Sequence, residues 1–239
     1  MIGLKTLPRR PARDPAEKPF WISFSDLMTA LMVLFLVAMA VALMAVTQGL
    51  QRVEAQKQAR QEAIKACMAD MAALAARPEF SGVRVRENSI EFGALAEFER
   101  RGYDLSPERR SFLRRFVPQM VEVARGGNCG KWLKRVVVEG FASQEGSYLY
   151  NLNLSLQRSQ RVLCVLLDPQ AADAPSRDDR RTIRKLFLVG GSSFNALKAS
   201  AEESRRVELK MEFRELDEKQ ESPPEIPWDE DPKCPLDKA

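Results

Sequence analysis

An apolar run near the start of the chain constrains it more than any other feature. No Lys or Arg occurs from Phe20 to Val46, and Thr29 is the one polar residue from Leu27 to Val46. At about 1.5 Å per helical residue, such a run can cross a hydrocarbon core about 30 Å thick. A cleaved signal peptide is the competing reading. It calls for a shorter apolar region and a small-residue cleavage site, which Ala38, Ala40 and Ala42 imitate. The expectation is an uncleaved single-pass transmembrane helix over 20–46. Lys5, Arg9, Arg10, Arg13 and Lys18 precede it, diluted by Asp14 and Glu17. The positive-inside rule then assigns a cytoplasmic basic segment to 1–19 and puts residues after about 47 across the membrane. Phe20 and Trp21 form the expected aromatic anchor at the cytoplasmic interface.

One carboxylate lies inside the run: Asp26, in Trp21-Ile22-Ser23-Phe24-Ser25-Asp26-Leu27-Met28-Thr29. An acid within the bilayer costs at least about 2.5 kcal/mol on insertion scales, so it faces a partner or a water path. Removal from water favours the neutral form of a carboxyl, which lets such a group load and release a proton. The bland alternative is an interfacial acid, snorkelling to the headgroups from a span that begins at Leu27. Ser23, Ala30 and Val33 share the Asp26 face at helical spacing, and small residues there permit close helix approach. The functional expectation is an ion-carrying carboxylate with Ser23, Ser25 and Thr29 as neighbours along the ion path. H⁺ is preferred to Na⁺, because one carboxylate and three hydroxyls do not by themselves make a metal-ion cage.

Beyond the membrane run the chain reads as soluble and ordered. Of its 239 residues 29% are charged and 45% hydrophobic, and the net charge of +4 is too small to argue for nucleic acid. Without histidine, His-based acid–base catalysis and His-ligated metal sites are excluded. No nucleophile–base pair can be assembled, so neither an enzyme nor a resident metal or cofactor is expected.

Residues 47–78 read as a helical stalk. Leu50, Val53, Lys57, Arg60, Ile64, Cys67, Met71 and Leu74 alternate three- and four-residue steps. That is a heptad seam for a parallel homodimer. The alternative is an amphipathic helix whose second half, Ile64 to Leu74, packs on the following domain. Pro78 ends the helix in either case.

Residues 79–215 read as one α/β domain. Strands are expected at 83–86, 89–92, 136–138, 185–189 and 206–213, with helices from Ser106 to about Ala124 and from about Ser155 to Leu167. The order β-α-β-α-β-β, its first β the 83–92 pair, suits helices packed on one face of a mixed sheet. The tail, 216–239, is acidic and proline-rich. From Glu215 it holds nine acidic and three basic residues with five prolines, and it is expected to be disordered.

Two resemblances sharpen this reading. Gly140-Phe141-Ala142-Ser143-Gln144-Glu145-Gly146, with Tyr150, Asn151, Leu154, Ser155, Arg158 and Val162, resembles the OmpA-like peptidoglycan-binding signature, and Ser204-Arg205-Arg206-Val207-Glu208 resembles that family's last strand. The resemblance implies noncovalent binding of the wall peptide. Arg158 would pair with a ligand carboxylate near a helix N-terminus begun by Ser155, and Asn151 and Leu154 would position the turn. Phe141 and Ser143 stand where that family usually has His and Asp, so the expected partner of the ligand's ammonium group is missing. The Trp21–Ala30 motif ahead of such a domain resembles the B subunits of ion-driven stators. That family includes the flagellar motor B subunit (MotB) and the Zorya antiphage-defence B subunit (ZorB), and the motif is more similar to the latter. It implies a bacterial inner-membrane protein with a periplasmic C-terminal domain, partnered by a ring of multi-span A-type subunits. The alternatives are a flagellar motor stator B subunit or a passive membrane-tethered wall anchor without ion flux.

Cys67, Cys129, Cys164 and Cys234 all fall on the side read as periplasmic, where disulfides persist. A Cys129–Cys164 pair fits the expected topology, with Cys67 bonded to Cys234 or across the dimer seam. Three intrachain connectivities exist and the sequence does not choose among them.

Overall fold

The computed structural model describes residues 17–218 and 233–237. Lys5, Arg9, Arg10 and Arg13 of the basic segment lie outside the described residues, as do tail residues 219–232 and the side chains of Lys18 and Phe20.

Helix α1 runs Glu17–Ala75, 59 residues, through a stretch with no proline after Pro19. The chain divides into two compact units between Ala55 and Gln56. In the first, every described side chain from Trp21 to Ala55 is exposed. Its apolar part reaches a mean hydropathy of 2.7 and is long enough to cross a membrane.

The second unit begins inside α1, ahead of the boundary at residue 79 expected from sequence. Cys67 and Met71 are fully buried, Leu74 nearly so, and all three belong to its hydrophobic core. Arg60 Nε donates to the Arg214 carbonyl at 2.7 Å, and its guanidinium meets Glu215 at 3.2 Å. The heptad seam is therefore corrected beyond Lys57. Burying a Met or Leu side chain is worth about 1.5–3 kcal/mol wherever it occurs, and here the chain's own domain supplies the cover.

Among the described residues five strands form one mixed sheet: β1 (Arg84–Arg86), β2 (Ser89–Glu91), β3 (Leu133–Gly140), β4 (Phe187–Gly191) and β5 (Val207–Phe213), in the order β1-β2-β5-β3-β4. Only β3 and β4 run parallel, with Val136 opposite Phe187 and Gly140 opposite Gly191. Alternation sends Val136 and Val138 of β3 and Val207, Leu209 and Met211 of β5 into the core. Helix α2 (Pro107–Arg125) starts as expected, with Ser106 Oγ accepting from the Arg109 amide and Pro107 at the first position. It contributes Phe112, Leu113, Phe116, Val117 and Met120. Phe80 and Phe92 meet Phe112 and Phe116 edge-on, with centroids 5.0–6.2 Å apart.

Three differences from the sequence reading affect the site. Helix α4 (Tyr148–Leu167) is capped by Ser147, not Ser155, and so begins two turns earlier than expected. A helix α5 (Arg177–Leu186) takes Lys185 and Leu186 out of the expected strand. Cys129 lies in a short helix α3 (Gly127–Gly130) before β3.

The cysteine pairing is also corrected. The bonds are Cys67–Cys129 and Cys164–Cys234. Cys129 is fully buried alongside Cys67 in the core, whereas Cys164 sits two residues from the core residue Val162, about 200° round the helix at 100° per residue. It therefore faces outward and meets the returning tail. That tail is not wholly free of the domain, since Asp237 also pairs with Arg161.

Candidate functional site

Asp26 lies on an apolar face of α1 with Thr29, Ala30, Val33, Leu34 and Val37. These are positions one helical turn apart, which is why the small Ala30 follows the acid on the same stripe. The Thr29 hydroxyl donates to the Ser25 carbonyl at 2.7 Å, so it offers only lone pairs to its surroundings. Ser23, three residues before Asp26, keeps the helical spacing of this face, whereas Ser25 lies about 100° round the helix from the acid.

The motif of the second unit gathers where β3 ends and α4 begins. An added Cβ at Gly140 would lie 1.9 Å from the Ser155 carbonyl oxygen, and one at Gly191 2.6 Å from Ser155 Oγ. These glycines let α4 approach the backbones of β3 and β4, and Ser155 is the small residue at that contact. Its hydroxyl donates to the Leu152 carbonyl at 2.7 Å and accepts from the Ser193 amide at 3.1 Å. Ser155 is thus a packing residue two turns inside the helix, and Leu154 beside it is buried.

Arg158 lies nearly three turns inside α4, too far from the free amides at Ser147 to share a site with them. Its side chain is fully buried. Nε donates to the Gly102 carbonyl at 2.9 Å, one Nη to the Phe141 carbonyl at 2.7 Å and the other to the Glu99 carbonyl at 3.1 Å. The Phe98 ring lies 5.2 Å below the guanidinium. Among the described residues no carboxylate pairs with it. Burial, and then the nearby Arg205, push its pKa down to about 10, partly offset by Tyr150, so it remains charged at neutral pH. Three of five N–H donors are spent on carbonyls and two remain.

The adjacent loop is held by Asn151, whose Nδ2 donates to the carbonyls of Glu145 and Ser147 at 2.9 and 3.1 Å. Tyr150 covers Gly146, which has a φ of +94°. Ser143 is buried. Phe141 is buried too, with the Arg206 guanidinium 4.1 Å from its ring and Lys210 at 5.6 Å. An aromatic ring at this position supports two cations, which a polar side chain could not do as well. Sequence reasoning missed Arg100, Glu145 and Ser193 as members of this cluster, and left Arg205 and Arg206 without a role. The paired arginines before β5 were the visible signal. Arg205 Nε donates to the Phe98 carbonyl at 3.0 Å, and Arg206 pairs with the buried Glu208 at 2.7 Å.

A lone acid on an apolar helix, followed by a mixed α/β domain, defines a class of membrane-anchored proteins. No protein-family model matches the chain. It is 44% identical over 223 residues to Zorya protein ZorB of Escherichia coli O139:H28, covering 89% of this chain and 88% of that protein. The chain belongs to the ZorB family. Among solved structures, the periplasmic domain of Helicobacter pylori MotB aligns at a TM-score of 0.40 and 12% identity, over 59% of this chain and 85% of that one. The OmpA-like domain of FopA1 from Francisella tularensis aligns at 0.34 and 16%, over 56% and 82%.

Proposed function

We propose that this chain is the B-type subunit of a proton-driven stator in an antiphage defence system. The observation that carries the reading is Asp26, the sole carboxylate between Trp21 and Val46, on a helix whose described side chains there are all exposed; among the described residues nothing pairs with the acid. A bare acid in hydrocarbon is costly, and a partner subunit is the natural source of its polar surroundings. Two copies would place their membrane helices, N-terminus in the cytoplasm, inside a ring of multi-span A-type subunits. Protonation and release at Asp26 would then drive rotation, with the second unit in the periplasm holding the assembly to peptidoglycan. Both disulfides suit that oxidising compartment.

Wall attachment is assigned to the Arg158 region. A buried guanidinium with two unspent donors and no carboxylate of its own supports a site for a peptide carboxylate, without any contribution from a helix N-terminus. The test of the whole reading compares phage protection by wild type, Asp26→Asn and Asp26→Glu at matched membrane levels. Protection by wild type and Asp26→Glu, lost in Asp26→Asn, is expected. Full protection by Asp26→Asn would leave a passive anchor in its place.

A further inference from the structure

One loop binds Arg158 directly, a second follows Phe141, whose carbonyl Arg158 also binds, and one ion pair joins the two. The loop at 99–102 lends the carbonyls of Glu99 and Gly102 to the guanidinium, while the loop at 143–147 is drawn in by Asn151. Arg100 Nε in the first donates to Glu145 Oε2 in the second at 2.7 Å. Arg158 below is wholly inaccessible. The pair above it is not, with Arg100 67% and Glu145 29% exposed at the side chain. The Arg100 hydrogen bond is the first reason that the Glu145 carboxyl is held below its ordinary pKa, and the fields of Arg100, Arg101 and Arg205 add to it. Glu145 is therefore a carboxylate held among Arg100, Arg101 and Arg205, a few residues beyond Phe141, whose carbonyl Arg158 binds, and among the described residues Arg158 has no carboxylate partner.

We propose that Arg100 and Glu145 form a latch over the carboxylate site, and that a peptide carboxylate reaches Arg158 only after Glu145 releases Arg100 and the two loops part. The proposal rests on the reading of Arg158 as a carboxylate site. Arg100 and Glu145 are positioning residues: they control access and need not touch the ligand. Exposed ion pairs are weak, so the latch opens readily, and its removal shifts the closed–open balance only modestly.

The test titrates the detergent-solubilised full chain with a soluble muropeptide carrying free peptide carboxylates. Glu145→Gln and Arg100→Gln should each tighten binding about two- to five-fold, and the double variant should gain no more than either alone. Salt at about 0.5 M should shrink the difference. Amide exchange should quicken at 99–102 and 143–147 and stay unchanged in β3 and β5; a merely structural brace would give the loosening without the tighter binding. Unchanged or weaker binding by both single variants would overturn the latch. Arg158→Lys separates the two claims. If it loses binding while Glu145→Gln fails to gain, the latch alone falls. If it binds like wild type, the carboxylate-site reading falls and the latch with it.

Discussion

Cys67, near the end of α1, is bonded to Cys129 in α3, with the two Cα atoms 4.9 Å apart and a separation of 62 positions in sequence. The bond joins the last turns of the long helix to the core of the second unit, where Met71 and Leu74 are already buried. Asn128 beside it donates to Asp70 at 3.2 Å.

Replacing both cysteines by serine should therefore lower the stability of the second unit by about 2–5 kcal/mol, since a loop of this length is costly to close in the unfolded chain. Urea unfolding of the detergent-solubilised chain, followed by tryptophan fluorescence at Trp132, measures it. A midpoint unchanged from wild type would show that apolar contacts alone hold the helix end.

Gly140→Ala should be among the most damaging small changes in the chain. The new Cβ would fall 1.9 Å from the backbone oxygen of Ser155, where no flexible side chain can give way. A loss of at least about 3 kcal/mol is expected, the upper end for overpacking. Ser155→Ala should cost about 1–3 kcal/mol, because the buried Ser193 amide loses its acceptor. Denaturation midpoints of the two variants test both the sizes and their order.

A dimer seam, if formed, is confined to the exposed part of α1. Leu50 and Val53 are 65% and 47% exposed, whereas Met71 on the same heptad register is buried in the chain's own core. Single cysteines at Leu50 or Val53 should crosslink into symmetric dimers in membranes under mild oxidation, and Met71→Cys should not. Crosslinking at Met71 alone would place the seam where the fold leaves no room for it.

The strands as elements and the α2 cap were legible because they depend on local alternation and on the Ser106-Pro107 pair; the order of the strands in the sheet, set by long-range pairing, was not. Helix α5 was not, because Ile183 is its one buried residue and it shows no apolar stripe. Its Ser176 cap, Asp178 and Asp179 in the first turn and Arg184 and Lys185 in the last were the available signs. The start of α4 was misplaced because Ser147 and Ser155 are equally good caps by type, and only the contact with Gly140 shows which one packs. The disulfides could not be read from spacing, since the face on which Cys164 lies depends on where α4 begins. The burial of Arg158 was not foreseen: three carbonyl acceptors from two distant segments leave no sequence signature.

At Arg158 the structural role that its hydrogen bonds show has to be separated from the proposed role in wall binding. Arg158→Ala leaves the carbonyls of Glu99, Gly102 and Phe141 without donors and should cost at least about 3 kcal/mol in stability. Arg158→Lys keeps the charge but not the planar fork, so it should lose less stability while still weakening wall binding. Thermal melts alongside sacculus pull-downs of the full chain distinguish the roles. Equal wall binding by wild type and a folded Arg158→Lys variant would move the site elsewhere.

Proton flux through Asp26 is the central claim, and proteoliposomes holding the chain with the multi-span subunit proposed as its partner test it most directly. An interior pH dye is followed while a potassium diffusion potential is imposed. Wild type and Asp26→Glu should acidify the lumen, and Asp26→Asn, which matches the shape but cannot carry a proton, should stay at the rate of empty vesicles. Acidification by Asp26→Asn at the wild-type rate would contradict the account.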